Sequence, residues 1–254
     1  MSLQIKNKIM DLKHMNLDNL QALWRLVGTN VGDYISTNSY EMSVVTNSEW
    51  PNRIWFSDPN YGGYIHEITN QFRLNNFTIP VWDDPSNHLG KALEACGFEL
   101  KSRQYGMSMA LHHIEAVSNT ISLKYVTDQE SANVWSDTFM QAFGYLIHPE
   151  TIMKTRDEVN YLLGIHKNQP VGTVVLFTNH TKIAGIHSMG IVPEMRKRGF
   201  AEDILLQTLN IATEEGATHA TLQASESGKH LYTKVGFQVE FIIKNYVKLK
   251  NNNQ

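Results

Sequence analysis

From residue 182 to residue 250 the chain alternates strand, glycine-marked turn, helix, strand, helix and strand, an order few folds admit. "KIAGIHSMGIV" (182–192) is apolar and β-branched enough to be a strand, and Pro193 closes it. A turn containing Gly199 leads into a helical pattern over 199–215, with Ile204, Leu205, Leu209, Ile211 and Ala212 on its apolar side and Gly216 as a stop. "HATLQA" (219–224) reads as a second strand, "SESGKHLYTKVG" (225–236) as a capped helix ending at Gly236, and "FQVEFIIKNYVKLK" as closing strand. Helices that return the chain to a sheet in this way belong to an α/β or α+β architecture.

The entrance to the first of these helices gathers three cations, Arg196, Lys197 and Arg198, ahead of Gly199, Phe200 and Ala201. A helix N-terminus exposes unpaired N–H groups and a partial positive charge. A glycine there lets a ligand approach the backbone, and together these suit an anion such as phosphate. A solvated charged turn capping a surface helix is the other reading.

The cluster is local, because the 254-residue chain carries a net charge of −3. A nucleic-acid or anionic-membrane binder would carry a basic excess, so neither partner is expected. The single cysteine, Cys96, allows no internal disulfide, and "MSLQIKNKIM" has no long apolar run. A cytoplasmic location without signal peptide or membrane span is the simplest expectation. No metal is expected. The hydrophobic fraction of 42% suits a real core, and the length suits two ordinary domains or one large one.

Upstream, Leu17, Leu20, Leu23, Trp24 and Val27 have helical spacing. Residues 52–56 read as a strand, 58–63 as a turn, and Ile65, Ile68 and Phe72 as a helix. A strand at 77–82 carries Pro80, expected at an edge or bulge. A short helix at 84–97 and a strand at 105–111 follow. Residues 112–120 carry little pattern and mark a boundary between halves at 1–115 and 120–250. Beyond it come a strand (121–126), helices near 128–142 and 149–157, and a hairpin about Gln169-Pro170. The halves echo each other: "GKALEACGF" (90–98) aligns with "KHLYTKVGF" (229–237) at an offset of 236 − 97 = 139 residues. Duplication explains this, as does chance recurrence of a common helix-Gly-Phe-strand solution.

The run Val192-Pro193-Glu194-Met195-Arg196-Lys197-Arg198-Gly199-Phe200-Ala201, followed by Leu231-Tyr232-Thr233-Lys234-Val235-Gly236-Phe237, resembles the signatures of the GNAT superfamily of acyl-CoA-dependent N-acetyltransferases, in family order and at family spacing. The resemblance covers roughly 121–250. It implies GNAT-like domains, each a mixed, mostly antiparallel twisted sheet flanked by helices, the first degenerate and the second catalytic. It implies that Arg196, Lys197, Arg198, Gly199, Phe200 and Ala201 cradle the pyrophosphate of acetyl-CoA. The strand around Met189, Ile191 and Val192 would pair with the pantetheine arm, and the N–H near Ile191 would polarise the thioester carbonyl. Tyr232 would protonate the departing thiolate, unless it is simply a buried core tyrosine. Where many members have a pantetheine-contacting asparagine, this chain has Ser225.

The general base is open: His187 on the strand, Glu226 and His230 beside Tyr232, and His148 on the acceptor side are all candidates. In the first half Leu93 falls where Tyr232 stands, and no R-x-x-G-x-A turn exists, so that half is expected to serve as scaffold and substrate wall. Of Trp24, Trp50, Trp55 and Trp82, most are expected in the core and one or two at the acceptor site. The activity implied is acetyl transfer to a primary amine on a small molecule or peptide, by a monomer or homodimer. A non-catalytic acyl-CoA sensor or partner-binding protein is the alternative. The small negative charge leans towards a cationic acceptor.

Overall fold

The structure, a computed structural model, describes residues 11–56, 64–65, 68, 77–82, 85–112 and 120–248. The turn expected at 58–63, most of the helix expected at 65–72 and most of the boundary at 112–120 lie outside the described residues.

In chain order the first elements are α1 (Leu12–Val31), β1 (Asp33–Ser36), β2 (Tyr40–Val44), β3 (Arg53–Phe56), β4 (Thr78–Val81), α2 (His88–Ala95) and β5 (Phe98–Ala110). There follow β6 (Ser122–Tyr125), α3 (Gln129–Phe143), α4 (Pro149–Thr155), β7 (Asn160–His166), β8 (Gln169–Thr178) and β9 (Ile183–Ile191). A 3-10 turn (Pro193–Met195) leads to α5 (Phe200–Glu214), β10 (His219–Ser225), α6 (Lys229–Val235) and β11 (Gln238–Lys248). The sequence shows no strand pattern at 33–44, because β1 and β2 are four and five residues long and interrupted by polar residues.

Helix boundaries follow local chemistry. Asp11 caps α1 by accepting the His14 N–H at 3.1 Å. Asp128 and Ser131 form a reciprocal capping box at α3, and Gly144 ends that helix at φ +78. Gly236 ends α6 at φ +119, placing Phe237 at the mouth of β11.

The strands form one mixed sheet in the order β1-β2-β3-β4-β11-β5-β10-β9-β8-β7-β6, flanked by helices. β3–β4 and β9–β10 are parallel and the other neighbours antiparallel. β11 lies between β4 and β5, and β5 lies between β11 and β10. The last strand of each half therefore sits inside the strands of the other. Pro80 is on an interior strand rather than an edge, but β3 pairs with β4 only at Arg53↔Thr78, so Pro80 stands beyond that ladder.

Alternation along β8 separates two cores. Val175 and Phe177 face Trp24, Trp55, Trp135 and Phe139 beneath α1 and α3, whereas Val174 and Leu176 face Ile204, Leu205 and Leu209 of α5. A third core packs Leu89 and Leu93 of α2 on Ile54 and Phe98, and Tyr246 of β11 joins it. Reciprocally, Met107 and Met109 of β5 join the α5 core. Leu23 and Val27 of α1 are fully buried, each contributing about 1.5–3 kcal/mol by leaving water.

Candidate active site

The parallel pair β9–β10 runs from Ile183↔His219 to Ile186↔Leu222 and then stops. β9 continues to Ile191 and β10 to Ser225 with no pairing between them. The strands part, and a cleft of about 190 Å³ opens at the split, lined among others by His187, Ser188, Met189, Ser225 and Tyr232.

A bulge aims the β9 edge. Thr173 pairs with Gly190 and Val175 with His187, so Ser188 and Met189 together oppose Val174. Ser188 takes φ +49, and buried Thr173 holds its carbonyl through an Oγ1 bond of 3.0 Å. After the bulge the Val192 N–H donates to Val171 O at 3.0 Å, towards β8. By strand alternation the N–H groups of Ile191 and Met189 face the other way, into the gap. The Val192 N–H itself is committed to the sheet.

Gly199 caps α5 at φ +83, and a Cβ there would meet nothing within 4 Å. The site needs glycine for its dihedral, and the space in front of it is open. Gly199 O accepts from Glu202 N and Asp203 N at 3.0 and 3.2 Å, so the N–H groups of Phe200 and Ala201 precede the first helical bond. Lys197 and Arg198 are exposed, and Lys197 sits at φ +60. Arg196 is occupied differently: its Nε donates to Ile191 O at 3.0 Å and its Nη2 to Ala142 O at 2.9 Å. It ties the loop to β9 and to the end of α3. Phe200 is buried in the α5 core, and its ring lies 4.7 Å from that of His166.

Beneath the cleft α1 contributes two buried asparagines. Asn19 Nδ2 donates to Phe177 O at 3.0 Å and Ile183 O at 2.8 Å, so its Oδ1 faces His187 Nε2 at 3.1 Å. That oxygen can only accept, so His187 carries its proton on Nε2 and its Nδ1 is an acceptor. Asn16 Nδ2 donates to Met107 O at 2.9 Å, and its Oδ1 accepts from Gln223 Nε2 at 2.7 Å. Burial pushes the His187 pKa down to about 4, outweighing a bond to Gln223 that favours the charged form. At neutral pH the ring is uncharged.

Tyr232 is nearly buried, and burial pushes its pKa up to about 12, so the phenol is protonated at neutral pH. Its ring makes an edge contact with Phe237 at 5.9 Å. Ser225 Oγ accepts from the Gly228 N–H at 3.2 Å, shaping the turn into α6.

The remaining histidine and glutamate candidates lie elsewhere. His148 Nδ1 accepts from Glu150 N at 3.2 Å as the cap of α4. Glu226 takes a hydrogen bond from the Tyr105 hydroxyl, and His230 is exposed. None of the three lines the cleft. Trp24, Trp50 and Trp55 are buried, and the first two also line the cleft. Arg53, Gln104 and Asn245 join the lining without any local signature in the sequence. Among the described residues no helix is long and apolar enough to cross a membrane.

Residues 122–237 match the Acetyltransferase (GNAT) family. No curated protein matches the chain in sequence. Among solved structures, a GCN5-related N-acetyltransferase from Kribbella flavida superposes with a TM-score of 0.69 at 14% identity, over 94% of this chain and 98% of its own. A GCN5-related N-acetyltransferase from Sphaerobacter thermophilus gives 0.62 at 16% identity, over 82% and 76%. A tandem GNAT protein from the clavulanic acid biosynthesis pathway gives 0.56 at 13% identity, over 82% and 77%. At these identities the similarity establishes the fold.

Proposed function

The chain carries a GNAT-superfamily acetyltransferase domain, and from it we propose that the protein transfers an acetyl group from acetyl-CoA to a primary amine. The observation that carries this reading is the parting of β9 from β10 in front of Tyr232, on a chain whose next helix opens at Gly199. When bound, acetyl-CoA supplies the acetyl group as a thioester.

The open space at Gly199 and the leading N–H groups of α5 fit a pyrophosphate, with Lys197 and Arg198 adding positive potential. Arg196 serves the cradle indirectly, by holding the loop on Ile191 O and Ala142 O. The gap-facing edge at Met189 and Ile191 offers backbone groups to an extended pantetheine arm, and the Ile191 N–H stabilises negative charge on the carbonyl oxygen during attack. Val192 contributes its place in the strand, and Ser225 shapes the α6 entrance beside the arm. In the transfer a nitrogen–carbon bond forms and the carbon–sulfur bond breaks. Tyr232, protonated at neutral pH, gives its proton to the leaving sulfur. His187, neutral and bonded through Nε2 to Asn19, takes part in passing the amine proton to water rather than storing it.

Residues 120–250 are assigned the transfer, and 1–115 the scaffold and one wall of the acceptor side, through Trp24, Trp50 and Arg53. The experiment is acetyl-CoA consumption with an amine panel, read as free thiol, alongside a calorimetric titration expected to give one site per chain. Binding without thiol release from any amine favours the second reading, an acyl-CoA-binding sensor. That reading draws on the lack of carboxylates among the described residues lining the cleft and on the low basicity of His187.

A further inference from the structure

Arg53, the first residue of β3, lines the cleft from the half opposite Tyr232. Its guanidinium donates to Asn52 O at 3.0 Å and lies 5.9 Å from the centre of the Trp24 ring. A guanidinium offers five donors in a planar fork. Among the described residues the Arg53 side chain has no other hydrogen bond and no ion pair. The nearby Tyr145 is a phenol held protonated by burial. Glu49, an acidic group whose charge is felt by Tyr145, accepts from the Leu146 N–H at 2.9 Å and is not among the residues lining the cleft.

The rest of the wall is uncharged. Among the described residues it contains no Asp, Glu or Lys, His187 is neutral, and Trp24, Trp50, Phe143 and Tyr145 give the same cleft its apolar surface. A cation set among aromatic rings in a half-enclosed cleft attracts an anion more strongly than it would in water. Among the described lining residues a polyamine or lysine-rich acceptor would find no counter-charge. The chain's small negative net charge, which leans towards a cationic acceptor, does not extend to this surface.

We propose that Arg53 holds the carboxylate of the acceptor, which is therefore a small amino-carboxylic acid with an apolar or aromatic body. The fork matches a carboxylate with two parallel N–H···O bonds, the rings flank the body, and the amine points along the cleft towards the β9–β10 split. This names the acceptor class for the transferase reading above and rests on it for the direction of the amine.

The test compares binding of matched pairs by calorimetry and tryptophan fluorescence: L-phenylalanine against its amide, L-leucine against its amide, with spermidine as a carboxylate-free polyamine. The carboxylate member of each pair is expected to bind at least ~10-fold more tightly than its amide. Arg53→Met, checked for folding by circular dichroism, should equalise the pairs, and Arg53→Lys should recover part of the preference. Equal or tighter binding of the amides or of spermidine overturns the proposal. So does a preference that survives in folded Arg53→Met, or failure of both carboxylates to bind. Carboxylate preference without thiol release would leave the Arg53 site standing and remove the transferase. Thiol release from amines regardless of carboxylate would do the reverse.

Discussion

Gln104 on β5 pairs with Ile243 on β11, and 243 − 104 = 139 is the same spacing that separates Gly97-Phe98 from Gly236-Phe237. Gln104 and Ile243 are thus the one pair of the β5–β11 ladder in which residues separated by that offset meet side by side. Both also line the cleft. The cleft thus straddles the line about which the strands interleave.

Interleaving makes the halves mutually dependent. Deleting residues 1–115 removes β5, which pairs with β10 from Gln104↔Ser225 to Ala110↔His219 and with β11 along almost its whole length. β4 goes with it, so β11 loses both its neighbours, β10 loses one, and the α5 core loses Met107 and Met109. The truncated chain is expected to aggregate, as judged by soluble yield and size-exclusion chromatography. A monodisperse 116–254 fragment that binds acetyl-CoA would contradict this.

At Gly199, substitution by Glu sets a carboxylate where the cradle would hold phosphate and forces a side chain into the left-handed region. The dihedral alone should cost about 1–2 kcal/mol of stability. Acetyl-CoA affinity should fall at least ~10-fold, about 1.4 kcal/mol. Calorimetry on folded Gly199→Glu with unchanged affinity would show that the cofactor phosphates lie elsewhere.

Tyr232→Phe removes one hydroxyl and keeps the ring on Phe237. Turnover on an identified acceptor should drop ~10²–10⁴-fold, the usual scale for losing a general acid, with cofactor affinity little changed. Near-normal turnover would take Tyr232 out of the chemistry.

His187 links the site to stability. Its pKa is about 4 in the folded chain against an ordinary histidine value of 6.5, so the unfolded chain binds this proton more readily. Stability from this group is complete above about pH 6.5 and declines as pH falls towards 4. At 1.36 kcal/mol per unit the full loss approaches ~3 kcal/mol. Urea unfolding at pH 4.5 and 7.5 should show a smaller acid loss in His187→Gln than in the parent chain. Equal losses would place the acid sensitivity on other groups.

The amino-acid sequence by itself determined the local grammar of the second half. The apolar run of β9, Gly199 before α5, Gly216 after it and Gly236 at the end of α6 are short-range signals, because dihedral demands and helix periodicity are written within a few residues. The same signals carried the GNAT resemblance and gave Tyr232 its place beside the split. Only the tertiary structure decided that β5 and β11 exchange places, that Ser188 forms the bulge, and that Arg196 grips Ile191 O rather than standing free. It also decided that Asn19 reaches His187 across 168 residues and that Arg53 faces the cleft. Strand pairing and buried polar contacts depend on which distant surfaces meet, and no period or spacing along a single chain encodes that meeting.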